Sequence, residues 1–473
     1  MATFIRRMAI SYILLTLFFS ADIGFFGRVA SFGINYGQVA NNLPPPDKVL
    51  ELLTNLKVTR TRIYDTNPQI LTAFANSNIE VIVTVENNML GQLNDPQQAL
   101  QWVSGHIKPY LPDTKITGIQ VGNELFTNGD TTLIQYLVPA VVNIHNALVQ
   151  LGLDSNIHVS TPSSLEVLQE SYPPSAGSFK SEISGIMSQF LNFLATTKAP
   201  FWINAYPYFA YKDDPNRIPL DYVLFNPNEG MVDSNTNLHY DNMLYAQVDA
   251  VSFAIAKLGF SGIEVRVSET GWPSKGDPNE VGATVQNAQT YNRNLLRRQM
   301  ANEGTPLSPR MRLEAYFFAL FNEDMKTGAT SERNYGFFQP DATMAYNVGL
   351  AAFADSSTSS TSISLTSSAT KTKDNMGGCG RPRRRRRGGG QWRPFSGAFS
   401  MAKGGNGVVG GAKGGNGVSS DGDRLHLRRL GVTELELEWR CGRGRSVAAM
   451  ALLHGHSYSA HGKGCVATVK SIQ

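Results

Sequence analysis

The chain has 473 residues, of which 42% are hydrophobic and 17% charged, a globular composition that excludes a wholly disordered or fibrous protein. Its length accommodates one α/β barrel of roughly 250 to 350 residues plus appendages. The formal net charge of +4 hides two unlike regions: from Met376 onward basic residues outnumber acidic ones 17 to 5, and before it acidic residues lead 33 to 25. All three cysteines, Cys379, Cys441 and Cys465, fall in the basic tail, so the body is expected to rely on core burial rather than on disulfides. The histidines show no metal-ligand spacing, and neither metal nor cofactor is expected.

Arg6 and Arg7 precede an apolar run from Met8 to Phe19 and then Val29, Ala30 and Ser31. This is the order of a secretory signal peptide over residues 1–31, with cleavage before Phe32. The run is shorter than the roughly 20 residues of a spanning helix. The expected product is therefore secreted, extracellular or in the cell wall, without a transmembrane segment. From Phe32 to Asp355 short β-branched or aromatic runs alternate with longer helical stretches, the pattern of parallel βαβ units. Strands are expected at Phe32 to Gly37, Arg60 to Asp65, Glu80 to Val85, Ile116 to Glu124, Ile157 to Ser163, Phe201 to Tyr208, Glu264 to Trp272 and Leu313 to Asn322. Val81-Ile82-Val83 is apolar throughout, as suits a strand covered on both faces. Asp95 to Ile107 opens on an Asp-Pro start and Leu133 to Leu151 stops before Gly152, as capped helices do. A last helix is expected near Thr343 to Ala354. Eight such repeats within 32–355 predict a (β/α)8 TIM barrel.

Ser356 to Thr372 is rich in Ser and Thr, and 356–375 reads as a flexible linker. Beyond it, 376–473 carries the run Arg383 to Arg387 and two copies of Ala-Lys-Gly-Gly-Asn-Gly-Val, starting at Ala402 and Ala412. This basic, low-complexity tail is expected to be disordered. An arginine run can bind nucleic acid or acidic polysaccharide, but a solvated extension is the simpler reading, and no nucleic-acid contact is expected of the barrel. No Asn-x-Ser/Thr sequon occurs, and nothing near the C-terminus is apolar enough for an anchor signal.

Parallel barrels build their sites where strands end, so position along a strand sorts the carboxylates. Glu264 and Glu314 begin strands and are expected to be structural, at the opposite face. Glu124 closes the fourth predicted strand in Val121-Gly122-Asn123-Glu124, and Glu269 closes the seventh in Val267-Ser268-Glu269-Thr270-Gly271-Trp272. Glu86 is a third carboxylate at the mouth, with no role assigned. Glycoside cleavage asks for one carboxylic acid to protonate the departing oxygen and one carboxylate to meet the oxocarbenium-like carbon. Tyr36, Tyr64, Tyr206, Tyr208, Phe209 and Trp272 lie at or just past strand ends, where aromatic faces either stack on sugar rings or pack the core. Glu323, Lys326 and Glu332 are charged groups near the same mouth. They suit hydrogen bonding to hydroxyls or orienting Glu269, although Glu323 and Lys326 also fit an i,i+3 surface pair.

From Phe32 to about Phe353 the chain resembles family 17 of the glycoside hydrolases, the plant endo-1,3-β-glucanases. The resemblance is carried by Ser268-Glu269-Thr270-Gly271-Trp272-Pro273-Ser274-Lys275-Gly276, by Asn123-Glu124, by Gly33-Ile34-Asn35-Tyr36-Gly37, by Arg62-Ile63-Tyr64, by Asn204-Ala205-Tyr206-Pro207-Tyr208, and by Phe321-Asn322-Glu323 with Lys326 and Glu332. It implies retaining hydrolysis of internal 1,3-β-glucosyl bonds in callose or fungal wall glucan, as in plant defence, with Glu269 as nucleophile and Glu124 as general acid/base. The two carboxyl groups of a retaining pair lie about 5 to 5.5 Å apart. Glu124 must carry a proton while Glu269 stays ionised, the latter aided by groups such as Asn123 or Tyr206. The cysteine-rich glucan-binding module often appended in this family has no counterpart here, so affinity must come from the cleft. A monomer is expected, with β-glucan as its partner. A transglycosylase would share the covalent intermediate, and a non-catalytic wall protein would be expected to lack one of the two glutamates.

Overall fold

The computed structural model describes residues 32–127 and 131–350, and in the tail the strands Glu434–Cys441, Arg445–Leu452 and Cys465–Ser471. The signal-peptide and linker expectations fall outside the described residues. The central sheet is made of β1 (Gly33–Tyr36), β2 (Arg60–Ile63), β3 (Glu80–Val85), β4 (Ile116–Val121), β5 (His158–Ser160), β6 (Pro162–Ser164), β7 (Phe201–Asn204), β8 (Val265–Thr270) and β9 (Ala315–Phe317). They run in the order β5-β4-β3-β2-β1-β9-β8-β7-β6, each neighbouring pair parallel. β5 and β6 are two halves of one strand interrupted at Thr161. The first half pairs with β4 and the second with β7, so eight strand positions complete the circuit of a TIM barrel.

Outside the strands lie α1 (Pro46–Asn55), α2 (Pro68–Ala73), α3 (Pro96–His106), α4 (Thr131–Gln150), α5 (Ser184–Thr197), α6 (Met243–Lys257) and α7 (Val285–Met300). Asp95 caps α3 by accepting from the Gln97 backbone N–H at 2.7 Å, and Pro96 gives up an N–H the first turn could not use. In α4, Ile134, Leu137, Val141, Ile144 and Leu148 repeat at helical spacing and are buried. That stripe stabilises the fold by about 1.5–3 kcal/mol per side chain. By length and composition alone this helix could cross a membrane; here its apolar stripe faces the protein interior.

Alternate residues of each strand fill the barrel. Ile82, Trp202 and Tyr316 form a buried cluster, with the Trp202 and Tyr316 rings edge-on at 5.6 Å. At the strand starts Arg60 pairs with Glu80 and Glu314, each at 3.2 Å, and Arg266 with Glu264 at 2.8 Å. Such part-exposed pairs contribute little individually, but they hold Glu264 and Glu314 at the end of the barrel opposite the strand C-termini.

Several predicted elements are shorter in the structure. The fourth strand stops at Val121 and the sixth at Asn204, after which Pro207–Asp213 is helical and takes up Tyr208 and Phe209. Proline at the first helical position ends the extended run. The helix expected from Thr343 does not form over 343–350, where Phe338 bridges Met344 and Gly349 has φ +90°. In the tail unit, Glu434–Cys441 pairs antiparallel with both Arg445–Leu452 and Cys465–Ser471. Their sequence signal is the strict alternation Glu434-Leu435-Glu436-Leu437-Glu438-Trp439.

Candidate active site

Side chains alternate along a regular strand, yet Ser268 and Glu269 of β8 both bond into the barrel interior. The register against β7 steps from Val267 opposite Ile203 to Glu269 opposite Asn204, which sets two residues of β8 against one of β7. This bulge re-aims consecutive side chains to one side. Glu269 is 1% exposed. Its Oε1 accepts from Arg62 Nη1 at 2.8 Å and its Oε2 from the Tyr206 hydroxyl at 2.7 Å. Arg62 is itself fully buried, and its Nη2 donates to Asn123 Oδ1 at 2.8 Å while its guanidinium lies 4.4 Å from the Tyr64 ring centre. A buried ion pair repays its desolvation only where other hydrogen bonds support it; here both terminal nitrogens of Arg62 are bonded, while its Nε has no partner among the described residues. Burial works against the Arg62 charge, but Tyr64 and Glu269 hold its pKa above the ordinary value. Burial together with the neighbouring Glu269 carboxylate pushes the hydroxyls of Tyr64 and Tyr206 well above the usual tyrosine range. Tyr206 therefore remains a proton donor to Glu269 at neutral pH.

Glu124 lies three residues past the end of β4. The turn that delivers it uses Gly122 at φ +75° and Glu124 itself at φ +52°, a left-handed conformation that costs a residue with a Cβ about 1 kcal/mol or more. Tertiary bonds hold it there. The Glu124 N–H donates to the Pro162 carbonyl at 3.0 Å. Asn87 brackets Asn123, accepting from its N–H at 2.7 Å and donating to its carbonyl at 3.0 Å. The half-buried Glu124 carboxylate accepts from Asn204 Nδ2 at 2.8 Å. Asn204, the last residue of β7, and Tyr206, two positions on, thus contact the two glutamates one each. One carboxylate is sealed beside a cation; the other is half-buried.

Glu323 accepts from the Val39 N–H at 2.9 Å and pairs with Lys326 at 3.1 Å. It reaches Val39 because Gly37 has no side chain: a Cβ there would lie 2.4 Å from the Glu323 carboxylate oxygens. Lys326 also sits 4.2 Å from the centre of the Phe318 ring. Glu332 is buried in the turn Thr330–Arg333, which is pinned by Asp277 accepting from the Thr330 N–H and Glu280 from the Ser331 N–H, both at 3.0 Å. Tyr36 is buried edge-on to Phe321, and burial with nearby Asp65 pushes its hydroxyl up to about 12. Tyr208 and Trp272 are fully buried against each other at 5.2 Å, and the Trp272 indole donates to the Gly282 carbonyl. Phe209 is buried edge-on to Tyr206. For these three the structure gives core packing rather than an open face for a sugar ring. Glu86 is exposed.

Sequence reasoning passed over Arg62, Asn35, Asn87, Asn204 and Ser268 as site residues. An arginine between two buried residues of a strand, Thr61-Arg62-Ile63, was the available signal. A charge there must meet a partner inside the barrel. Two cavities of about 340 and 270 Å³ open among strand-start residues such as Glu264, Leu313, Arg60 and Glu314, away from the paired glutamates. Neither cavity is lined by Glu124 or Glu269.

Comparison with known proteins gives the family of the chain. Residues 32–350 match the model of glycosyl hydrolases family 17. The chain is 49% identical over 342 residues to glucan endo-1,3-beta-glucosidase 14 of Arabidopsis thaliana, covering 72% of this chain and 87% of that protein. It is 50% identical over 323 residues to glucan endo-1,3-beta-glucosidase 11 of the same plant, covering 68% and 76%. Among solved structures it is similar to CJP38, a β-1,3-glucanase and allergen of Cryptomeria japonica pollen, with a TM-score of 0.64, 44% identity and coverage of 67% of this chain and 97% of that one. With a family match over residues 32–350 and relatives at half identity, the chain belongs to glycosyl hydrolases family 17.

Proposed function

We propose that this chain hydrolyses internal 1,3-β-D-glucosidic bonds of β-glucan with retention of configuration, with Glu269 as nucleophile and Glu124 as general acid/base. The observation that carries the reading is the contrast between the two carboxylates. Glu269, buried and bonded to Arg62 and Tyr206, is held as an anion ready to bond to the anomeric carbon. Glu124 takes one amide N–H from Asn204 and is reachable from the cleft, as a group that exchanges protons must be. In the first step Glu124 protonates the departing oxygen while Glu269 forms the glucosyl ester. In the second, Glu124 takes a proton from water as that water displaces Glu269. Tyr64, Tyr206, Asn123, Glu323, Lys326 and Glu332 surround this centre and are proposed to bind glucose hydroxyls or hold the network that does. The substrate class follows from the relatives' names, glucan endo-1,3-beta-glucosidases. Callose or fungal wall glucan, met outside the cell by a secreted monomer, fits that chemistry.

A time course on laminarin and on barley-type mixed-linkage glucan tests the reading. Endo action gives a mixture of oligosaccharides, with viscosity falling faster than reducing ends accumulate, and proton NMR shows the β-anomer first. Glucose alone from the outset would sink the endo assignment, transfer products longer than the substrate would favour transglycosylation, and an initial α-anomer would mean inversion.

A further inference from the structure

Gln120, next to last in β4, is 1% exposed, and neither its Nε2 nor its Oε1 has a hydrogen-bond partner among the described residues. Buried amides are nearly always bonded at both ends. This one lines the cavity of about 270 Å³ among the strand starts. Gly118, two residues earlier on the same face of β4, lines it too and has no side chain to stand before the amide. The inner wall includes the buried cluster of Ile82, Trp202 and Tyr316, and the outer wall the exposed Asn156 and His158. A single water needs only roughly 10–15 Å³ of such space, so the cavity has room for a larger molecule. We infer that it is a binding site for one neutral pyranose ring, a glucosyl unit, recognised through the Gln120 amide.

Charge decides against an ion. Arg60 pairs with Glu80 and Glu314, each at 3.2 Å, and Arg266 with Glu314 at 3.4 Å. Two guanidinium groups and two carboxylates thus line the cavity, all four of them engaged. Burial and the nearby Arg266 charge lower the pKa of His158, whose imidazole is therefore neutral at pH 7. A charged ligand would have to displace one of these pairs, whereas a neutral one leaves them intact. Among neutral ligands the amide selects hydroxyls. Each hydroxyl both donates and accepts, so two adjacent ring hydroxyls answer Nε2 and Oε1 together. The C–H face of a pyranose suits a wall containing the Trp202 and Tyr316 rings. A glucosyl unit is also what the proposed hydrolysis handles. The choice of glucose rests on that reading; the match of a neutral polyol to Gln120 does not.

His158 begins β5 and reports on this cavity rather than on the cleft. Its imidazole NMR signals, assigned with His158→Gln in the full chain labelled with ¹³C-histidine, are followed as glucose is added to about 100 mM, roughly a hundredfold above a Kd of 1 mM. A saturable shift is expected. Gln120→Leu removes both hydrogen-bonding ends and should weaken it at least about tenfold, and Asn156→Ala, by losing one amide at the outer wall, roughly threefold. Asn156 is exposed, so its variant decides the matter even if Gln120→Leu does not fold. Glucuronate, the same ring with a charge, should give no saturable shift. A glucose shift that the variants leave unchanged, an equal response to glucuronate, or no shift at all, which would mean that ordered water alone meets the amide, each overturns the proposal. Binding is read at His158 and not through cleavage, which separates the two readings. If laminarin is cleaved and glucose leaves His158 unmoved, only this proposal fails; if glucose shifts His158 and laminarin is not cleaved, the site stands and the hydrolase reading fails.

Discussion

Arg62→Met should unbalance the barrel interior in a way that depends on pH. Arg62 supplies Glu269 with a 2.8 Å ion pair at a position where both side chains are 1% exposed or less. Without it the Glu269 carboxylate keeps the Tyr206 hydroxyl but loses its ion pair with Arg62. Breaking a buried pair by removing one partner costs about 3–5 kcal/mol, which for a domain this large lowers Tm by roughly 5–15 °C. The penalty belongs to the ionised carboxylate. It should be full at neutral pH and shrink as acid neutralises Glu269 in the variant. Removing the second charge as well, in Arg62→Met/Glu269→Leu, should recover much of the loss, since matched apolar replacement of a buried pair is often neutral. Thermal unfolding of the wild type, the single variant and the double variant at pH 4.5 and 7.5 checks this. A single-variant loss of equal size at both pH values, or a double variant less stable than the single one, would refute the reasoning.

Three further outcomes are expected. Gly37→Ala places a Cβ against the Glu323 carboxylate and should displace that group from Val39 and Lys326, raising KM for laminarin more than it lowers kcat; an unchanged KM would remove Glu323 from the binding surface. Burial of Asp249, against bonds from Thr305 and the Leu307 N–H, pushes its carboxyl up to about 6. Because that folded-state value lies above the unfolded one, the neutral form is favoured in the fold, so its contribution is full below about pH 4 and is lost as pH rises through about 6, by roughly 3 kcal/mol. Asp249→Asn should flatten this part of the stability profile, and calorimetry between pH 4 and 7 would show an unchanged slope if the carboxyl titrates normally. Residues 32–355 alone should fold and cleave soluble glucan, so inactivity after removal of 356–473 would show that the tail supports the barrel.

That both glutamates would stand near strand ends was legible because their flanking segments are distinctive. How they arrive there was not. Glu269 turns inward through a bulge at Ser268, which depends on pairing with β7 and leaves no local mark. Glu124 sits beyond β4 in a left-handed turn, where strand extrapolation placed it inside the strand. The Asn123-or-Tyr206 expectation for Glu269 divides in the structure: Tyr206 bonds to it, whereas Asn123 accepts from Arg62. Arg62 escaped notice because its importance comes from partners on three other segments. Tyr208 and Trp272 show the reverse limit, since aromatic residues near strand ends look alike in sequence whether they line a cleft or pack beneath it. The helix expected from Thr343 does not form over 343–350, where a bridge to Phe338 takes its place, which spacing cannot reveal.

The assignment of the two glutamates is tested most directly by azide rescue of Glu269→Ala and Glu124→Ala on an activated β-laminaribioside. With the nucleophile removed, azide should attack from the vacated side and give the α-glucosyl azide. With the acid/base removed, Glu269 should still form its ester, and azide should displace it from the opposite face to give the β-glucosyl azide. If Glu269→Ala gives the β product and Glu124→Ala the α product, the two residues have each other's roles.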